Sequence, residues 1–368
     1  MGGFVVHYGD VKTGKLYGEL PCSAASYTNE VSALGDVQVT VAGPRVPDLW
    51  RSIYEGKTLA AVEYADEALG LRRIVAAGPL WSPRGGDTTF SVGGSGILGI
   101  FNARRLFDET MTYPIPPLTL SNLDHGSIMR GIVSRAMSLA GGTLPIVLEA
   151  SRTGTDTRTY YAYDLVSAGQ RLTELAQSDP VTDFLFQPRF LIGDFTSILW
   201  NLFTGTQAQP QLYGSATWVL DGTAPGQTVV GAVSIDRDGS GLGTVAWQQG
   251  SGAMGASIIE YAVDSSLSAW PRLDTFAQSD ASLATTVQSQ ANALLARSNR
   301  PKRAIQVQVD AGWWYSQPTR PGDKARLIYD HFVYGHLDVT SRVLSEAGSL
   351  GSRWVTLTLA DTYAEEWI

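Results

Sequence analysis

Three stretches of this chain alternate strictly between apolar and polar side chains. Val37, Val39 and Val41 alternate with Gln38 and Thr40; Ile305, Val307 and Val309 with Gln306, Gln308 and Asp310; Val355, Leu357 and Leu359 with Trp354, Thr356 and Thr358. A period of two sets one face of an extended strand against a core and leaves the other toward solvent. A helix of period 3.6 cannot gather such residues on one side. The first stretch lies near the N-terminus and the other two near the C-terminus, so both ends of the chain must be β-structure.

Turn chemistry then divides the chain. Leu34-Gly35-Asp36 and Pro83-Arg84-Gly85-Gly86 separate strand candidates at Lys15 to Cys22, Leu59 to Tyr64, Arg72 to Ala77 and Asp87 to Val92. Gly78-Pro79 is expected to break the strand before it. Many short strands spaced by turns predict a small barrel or sandwich over the first ninety-five residues. Helical spacing follows at Ser95 to Phe107, at about Ser127 to Ala140, and at Leu165 to Gln177, the last with Asp164 as its cap and Asp179-Pro180 as its stop. Strands return with Phe184, Phe186 and Phe190, with Gln227 to Ile235, with Gly243 to Gln248 running back from it, and with Ser257 to Val263. A last helix spans Asp280 to Arg297. The tail from Arg300 holds the aromatic knot Trp313-Trp314-Tyr315, the turn Pro321-Gly322-Asp323, the extended run Lys324 to His331, and a closing strand from Arg353 to Ala360. The expected class is α+β, mainly β, in four parts: 1–95, 96–178, 179–299 and 300–368.

Composition excludes several functions. The formal charge of −8 argues against binding nucleic acid by neutralising phosphates. No run of apolar residues is long enough for a transmembrane helix. The N-terminus lacks a basic region followed by an apolar core, and Val6 stands where a myristoylation signal needs Ser or Thr. The one cysteine, Cys22, excludes an internal disulfide framework and reads as a small buried hydrophobe. Ten tryptophans and fifteen tyrosines suit sheets and interfaces alike.

Candidate chemistry is thin. Gly94-Ser95-Gly96-Ile97-Leu98-Gly99 matches G-x-G-x-x-G between a strand and a helix. A dinucleotide site also needs a buried parallel strand before it and an acidic residue about twenty positions on. Here the strand alternates, and Pro114 to Pro117 occupy the second place, so a tight strand-to-helix turn is the better reading. Asp236-Arg237-Asp238-Gly239-Ser240-Gly241 resembles half a calcium loop, but Trp247 stands where the closing Glu should be, which leaves a solvated turn. The histidines His7, His125, His331 and His336 are too scattered for a metal site. No catalytic, cofactor or metal-binding residue is expected.

The layout itself resembles a known family, the baseplate or tail-hub proteins of tailed bacteriophages. Within it, the chain looks like the hub-type minor tail proteins of siphophages that infect actinobacteria. The residues carrying the resemblance are Asn29-Glu30-Val31 with Leu34-Gly35-Asp36-Val37, Ala77-Gly78-Pro79-Leu80 with Phe90-Ser91-Val92 and Arg104-Arg105, Leu172-Thr173-Glu174-Leu175-Ala176 before Phe184, and Pro321-Gly322-Asp323 with Arg342-Val343-Leu344 and Trp354-Val355-Thr356-Leu357. The resemblance implies two similar β-barrel hub domains, at 1–95 and in 300–368, with helix-bearing and β-rich domains between them. It implies a homotrimer forming a pseudo-sixfold ring, with a distal tail protein ring above and a central fibre or tip protein below. The tape measure protein would occupy the lumen, and DNA would pass without specific binding. The site would be the virion tail tip, without enzymatic activity or cofactor. The end at Ile368 reads as a minimal hub. Trp313, Trp314, Tyr315 and Trp270 are candidate interface anchors, with a core role equally open for each. Two alternatives are a carbohydrate-binding receptor-recognition tail protein, which exposed tryptophans in a groove would favour, and a tail-associated hydrolase.

Overall fold

The computed structural model describes residues 2–42, 51–86, 89–108, 114–177, 181–214, 216–224, 229–251, 257–267, 270–279, 283–299 and 302–360. The helix stop Asp179-Pro180, the strand start Asp87, the helix start Asp280 and Arg300-Pro301 lie outside them. The chain divides into two compact units, residues 1–233 with 307–359 and residues 234–306 with 360–368.

The first unit opens with strands β1 (Gly3–Asp10), β2 (Leu16–Glu19), β3 (Ala24–Glu30), β4 (Asp36–Ala42), β5 (Thr58–Asp66), β6 (Leu71–Gly85) and β7 (Thr89–Ser95). Helices then enter: α1 (Leu98–Asn102), β8 (Leu118–Leu123), α2 (His125–Ser138), β9 (Ile146–Leu148), β10 (Asp156–Tyr160) and α3 (Ala168–Gln177). The hairpin β11 (Phe184–Leu191) and β12 (Asp194–Thr204) follows, then β13 (Thr217–Asp221). Along β14 (Val230–Asp238) the chain enters the second unit, which holds β15 (Val245–Gln249), β16 (Ile259–Val263), β17 (Asp274–Gln278) and α4 (Ala284–Ser298). It returns along β18 (Lys302–Asp310) to α5 (Ala311–Ser316), β19 (Lys324–His331), β20 (Gly335–Ser349) and β21 (Trp354–Leu359).

Both ends of the sequence meet in one thirteen-stranded sheet, ordered β14-β18-β21-β20-β3-β4-β7-β6-β5-β1-β2, with β19 on β20 and β13 on β19. The seam is the antiparallel pair β20–β3, running from Ser345 opposite Glu30 to Ser349 opposite Ser26. The three alternating stretches behave as their period requires. Val37, Val39, Val41, Ile305, Val307, Val309, Val355, Leu357 and Leu359 are all buried, each side chain contributing about 1.5–3 kcal/mol by leaving water.

Gly78-Pro79 does not end a strand. β6 runs through it, pairing Pro79 with Leu59 on β5 and Leu80 with Gly94 on β7. The dipeptide marks the place where β6 exchanges one partner strand for another, so the missing proline N–H costs no ladder bond. A Cβ on Gly78 would lie 1.7 Å from the Ser95 carbonyl oxygen, so only glycine fits there. The helix expected over Ser95 to Phe107 shrinks to the five residues of α1, because Ala103 caps it through bonds to Ile100 and Phe101. The glycines of G-x-G-x-x-G are packing residues: a Cβ on Gly96 would meet the Leu34 carbonyl oxygen at 2.3 Å, and one on Gly99 the Ser95 hydroxyl at 2.2 Å. α3 starts at Ala168 rather than Leu165, whose φ of 52° is left-handed. Ser167 Oγ accepts from Gln170 N at 3.1 Å in place of the expected Asp164 cap, and Asp164 pairs with Arg171 instead.

The helix-bearing region packs onto the sheet through Phe101, Ile128, Ile132, Leu172 and Trp200, all fully buried. Asp124 caps α2 by accepting from Ser127 N at 2.7 Å and also takes the Arg152 guanidinium at 2.7 Å. Arg152 goes on to Thr204 Oγ1 and the Gly205 carbonyl, tying α2 to the end of β12. Burial works to raise the Asp124 carboxyl, but these donors outweigh it and hold it below the usual carboxylate range.

In the second unit β15 is central. It pairs antiparallel with β16 and parallel with β17, not with β14 as its sequence neighbourhood suggests. Between β14 and β15, Asp238 Oδ1 accepts from Ser240 N at 2.8 Å, an Asx turn that accounts for the half calcium loop. α4 lies on one face of this sheet, with Ala246, Gln248, Ala262, Val287 and Ala291 buried between them.

Candidate assembly surfaces

Two of the expected interface anchors face inward. The knot Trp313-Trp314-Tyr315 is not strand but the one-and-a-half-turn helix α5, whose start Asp310 caps by accepting from Trp313 N at 3.0 Å. Trp314 and Tyr315 are 0% and 1% exposed. Trp314 Nε1 donates to Glu346 Oε2 at 2.9 Å, and Asn29 Nδ2 donates to Glu346 Oε1 and to Gln187 Oε1, each at 3.3 Å. The Tyr315 hydroxyl hydrogen-bonds that of Tyr27, and the Arg73 guanidinium lies 5.3 Å from the centre of the Tyr315 ring. Arg73 also donates to the carbonyls of Gln317 and Thr319. Phe4 and Tyr64 complete an aromatic cluster around Tyr315, with ring centres 6.2 and 5.3 Å away.

This buried cluster fixes the seam between the two ends of the sequence. Asn29 and Tyr27 lie on β3, Glu346 on β20, and Arg73 on β6. Burial pushes the Glu346 carboxyl up, against the pull of Arg73 and the Trp314 and Asn29 donors. Burial, reinforced by Glu346, lifts both Tyr27 and Tyr315 far above the ordinary phenol value, so both remain neutral donors. A second buried carboxylate, Glu63 on β5, receives His7 Nε2 at 2.6 Å and the Arg72 guanidinium at 2.5 and 2.9 Å. Burial works to raise it, but Arg72 and His7 win and hold it below the usual range. Arg72 in turn stacks over the Phe195 ring at 4.7 Å.

Surfaces that remain open are different residues. Trp313 is half-buried at the outer side of α5, and Trp270 is half-exposed in the second unit. Among the described residues of the first unit, the two most exposed apolar side chains, Phe332 and Ile192, sit on hairpin tips. The β19–β20 hairpin ends in Phe332-Val333-Tyr334-Gly335, with Phe332 fully exposed and Val333 71% exposed. Gly335, at φ 69°, allows the turn, and His331 Nδ1 accepts from Val333 N at 3.1 Å. The β11–β12 hairpin ends in Leu191-Ile192-Gly193, with Ile192 86% exposed. Phe195 beside it is half-exposed and makes an edge contact with Phe190. Turns ordinarily carry small polar residues, and these tips carry bulky apolar side chains instead. The signal was in the sequence as His331-Phe332-Val333-Tyr334-Gly335 and Leu191-Ile192-Gly193-Asp194, where a turn residue stands next to apolar ones. Among the described residues no three His, Cys, Asp or Glu side chains gather as a metal site, and no helix is long and apolar enough to cross a membrane.

The chain is therefore a mainly β protein with an apolar core, two buried polar clusters within it, and a few bulky apolar side chains exposed on hairpin tips. No family model matches the chain, and no curated protein matches it. Among solved structures it is similar over nearly its whole length to the tail protein from Neisseria meningitidis MC58, with 13% identity, 98% of this chain and 97% of that chain covered, and a TM-score of 0.55. It is similar likewise to the 43 kDa tail protein of prophage MuSo2 from Shewanella oneidensis, with 13% identity, 98% of both chains covered and a TM-score of 0.57. The Francisella PdpA-VgrG complex in its half-lidded form matches all of this chain over 59% of its own, at 8% identity and a TM-score of 0.53. The fold is one that these two tail proteins share.

Proposed function

We propose that this chain is a structural virion protein, the hub of a bacteriophage tail tip or baseplate. The single observation that carries the reading is the end-to-end likeness of fold to two phage tail proteins, each covered almost completely. In this reading three copies form a pseudo-sixfold ring in a siphophage virion. The ring joins the distal tail protein ring above to a central fibre or other minor tail protein below, with the tape measure protein in the lumen before DNA passes. The role is non-enzymatic. Two β-barrel hub domains, drawn from 1–95 and 300–368, would supply the near-sixfold repeat, with 96–178 and 179–299 as the intervening domains. Sharing one sheet through β3 and β20 would hold such domains in fixed register. The outward-facing Trp313 and Trp270 remain candidate anchors, and the tips at Phe332 and Ile192 join them.

The formal charge of −8 fits a conduit for DNA, because an acidic wall repels phosphates and lets the polymer pass. Electron-microscope class averages of the purified chain test the ring: threefold rings with a central opening are expected, and isolated monomers at micromolar concentration would overturn it. Lysine substitutions of carboxylates lining that opening are expected to slow DNA delivery; unchanged infectivity would remove the conduit role of the charge.

A further inference from the structure

The second unit holds a cleft of which the hub reading uses only the Trp270 side chain, as a candidate anchor. Its floor is the face of the β16-β15-β17 sheet turned away from α4. Trp247 on β15 is paired with Tyr261 on β16 and with Phe276 on β17, so three rings form a row across the sheet. The Trp247 and Tyr261 ring centres are 5.2 Å apart, tilted by 41°. Tyr261 and Phe276 are 55% and 60% exposed. The indole of Trp247 is held on the same face of the sheet, its Nε1 donating to Asp274 Oδ1 at 2.7 Å, while Arg272 takes both oxygens of the same carboxylate at 3.0 and 3.1 Å. Trp270 lines the cleft as a further ring, joined by Asp264 and Arg272. The cleft measures about 590 Å³, within the range of small-ligand sites, which are mostly apolar and carry a few placed polar groups.

We propose that this cleft binds an uncharged glycan. A sugar ring has an apolar C–H face and a rim of hydroxyls. The Trp247, Tyr261 and Trp270 rings offer flat apolar surfaces with a polar atom at one end. The exposed Arg272 fork and the Asp264 carboxylate offer a donor and an acceptor beside them. Arg272 is already paired with Asp274, which leaves the Asp264 carboxylate as the uncompensated charge beside the cleft and disfavours acidic sugars relative to neutral ones. The dimensions favour a glycan over a protein partner. Three strands of five residues make a face about 10 Å wide and 17 Å long, far short of the roughly 800 Å² that each partner buries in a stable protein interface.

The test uses the full chain on an array of neutral oligosaccharides of glucose, galactose, mannose and N-acetylglucosamine, with hyaluronate and polyphosphate as anionic probes. Any neutral binder is then titrated calorimetrically. Trp270→Ala is expected to weaken binding at least about tenfold, with the melting temperature unchanged because that side chain is half outside the fold. Trp270→Phe is expected to restore part of it, and Trp247→Ala to abolish it. Three results would overturn the proposal: no neutral sugar bound by the wild-type chain, binding that survives both alanine substitutions, or binding of the anionic probes alone. Self-association through this face, lost in Trp270→Ala without any sugar effect, would assign it to a second copy instead and also overturn the proposal.

Discussion

Glu346 is wholly buried yet accepts hydrogen bonds from Trp314 and Asn29. Replacing it by alanine leaves the buried Trp314 indole N–H without a partner, at on the order of 1–3 kcal/mol, and leaves the Asn29 amide with Gln187 alone. Glu346→Ala is therefore expected to lower the denaturation midpoint at unchanged m-value. Trp314→Ala should cost more, about 3–5 kcal/mol, through the cavity it leaves. Glu63 and Glu346 respond oppositely to pH. Glu63 titrates below its unfolded value, so its contribution is present above that value and is lost as pH falls through the depressed one. Glu346 titrates above its unfolded value, so the folded state binds its proton more tightly and stability declines as pH rises from the unfolded value through the raised one. Denaturant melts across acid pH should show a shallower acid loss in Glu63→Gln than in the wild type; parallel curves would contradict the assignment. Neither carboxylate was legible as special in the sequence. The strand carrying Glu63 is a mostly apolar run buried on both faces, in which a single carboxylate carries no mark of its partners, and His7 lies 56 positions away.

Strands carrying clean alternation were readable to within a residue or two, because their period fixes both type and face. Elements whose ends depend on tertiary partners were not. The short α1, the late start of α3, and the helix under Trp313-Trp314-Tyr315 are each decided by a cap, either a backbone carbonyl or a side chain such as Ser167 or Asp310. β6 passing through Gly78-Pro79 reflects a strand changing partners, which no local pattern contains. The hairpin tips leave little trace in the sequence, since a lone Phe or Ile in a turn is ordinary until its exposure is known. Phe332→Asp with Val333→Asp is expected to leave monomer stability within about 0.5 kcal/mol, as both side chains already stand in solvent, while blocking assembly. Thermal melts and gel filtration of the double variant check this, and unaltered assembly would release the tip from that role.

At the scale of the molecule, the β-rich ends and helix-bearing middle were legible from patterning, and the likeness to tail proteins extends over the same span. What patterning could not show is that β3 and β20, more than three hundred residues apart, bond directly and fuse the two ends into one sheet. Long-range pairing leaves no local trace. The most direct measurement is the solution mass of the purified full-length chain by light scattering at micromolar concentration. A species of three times the 39.5 kDa chain mass is predicted, reverting to one chain mass in the Phe332→Asp, Val333→Asp variant. A wild-type chain that stays at 39.5 kDa across the concentration range would contradict the trimeric hub.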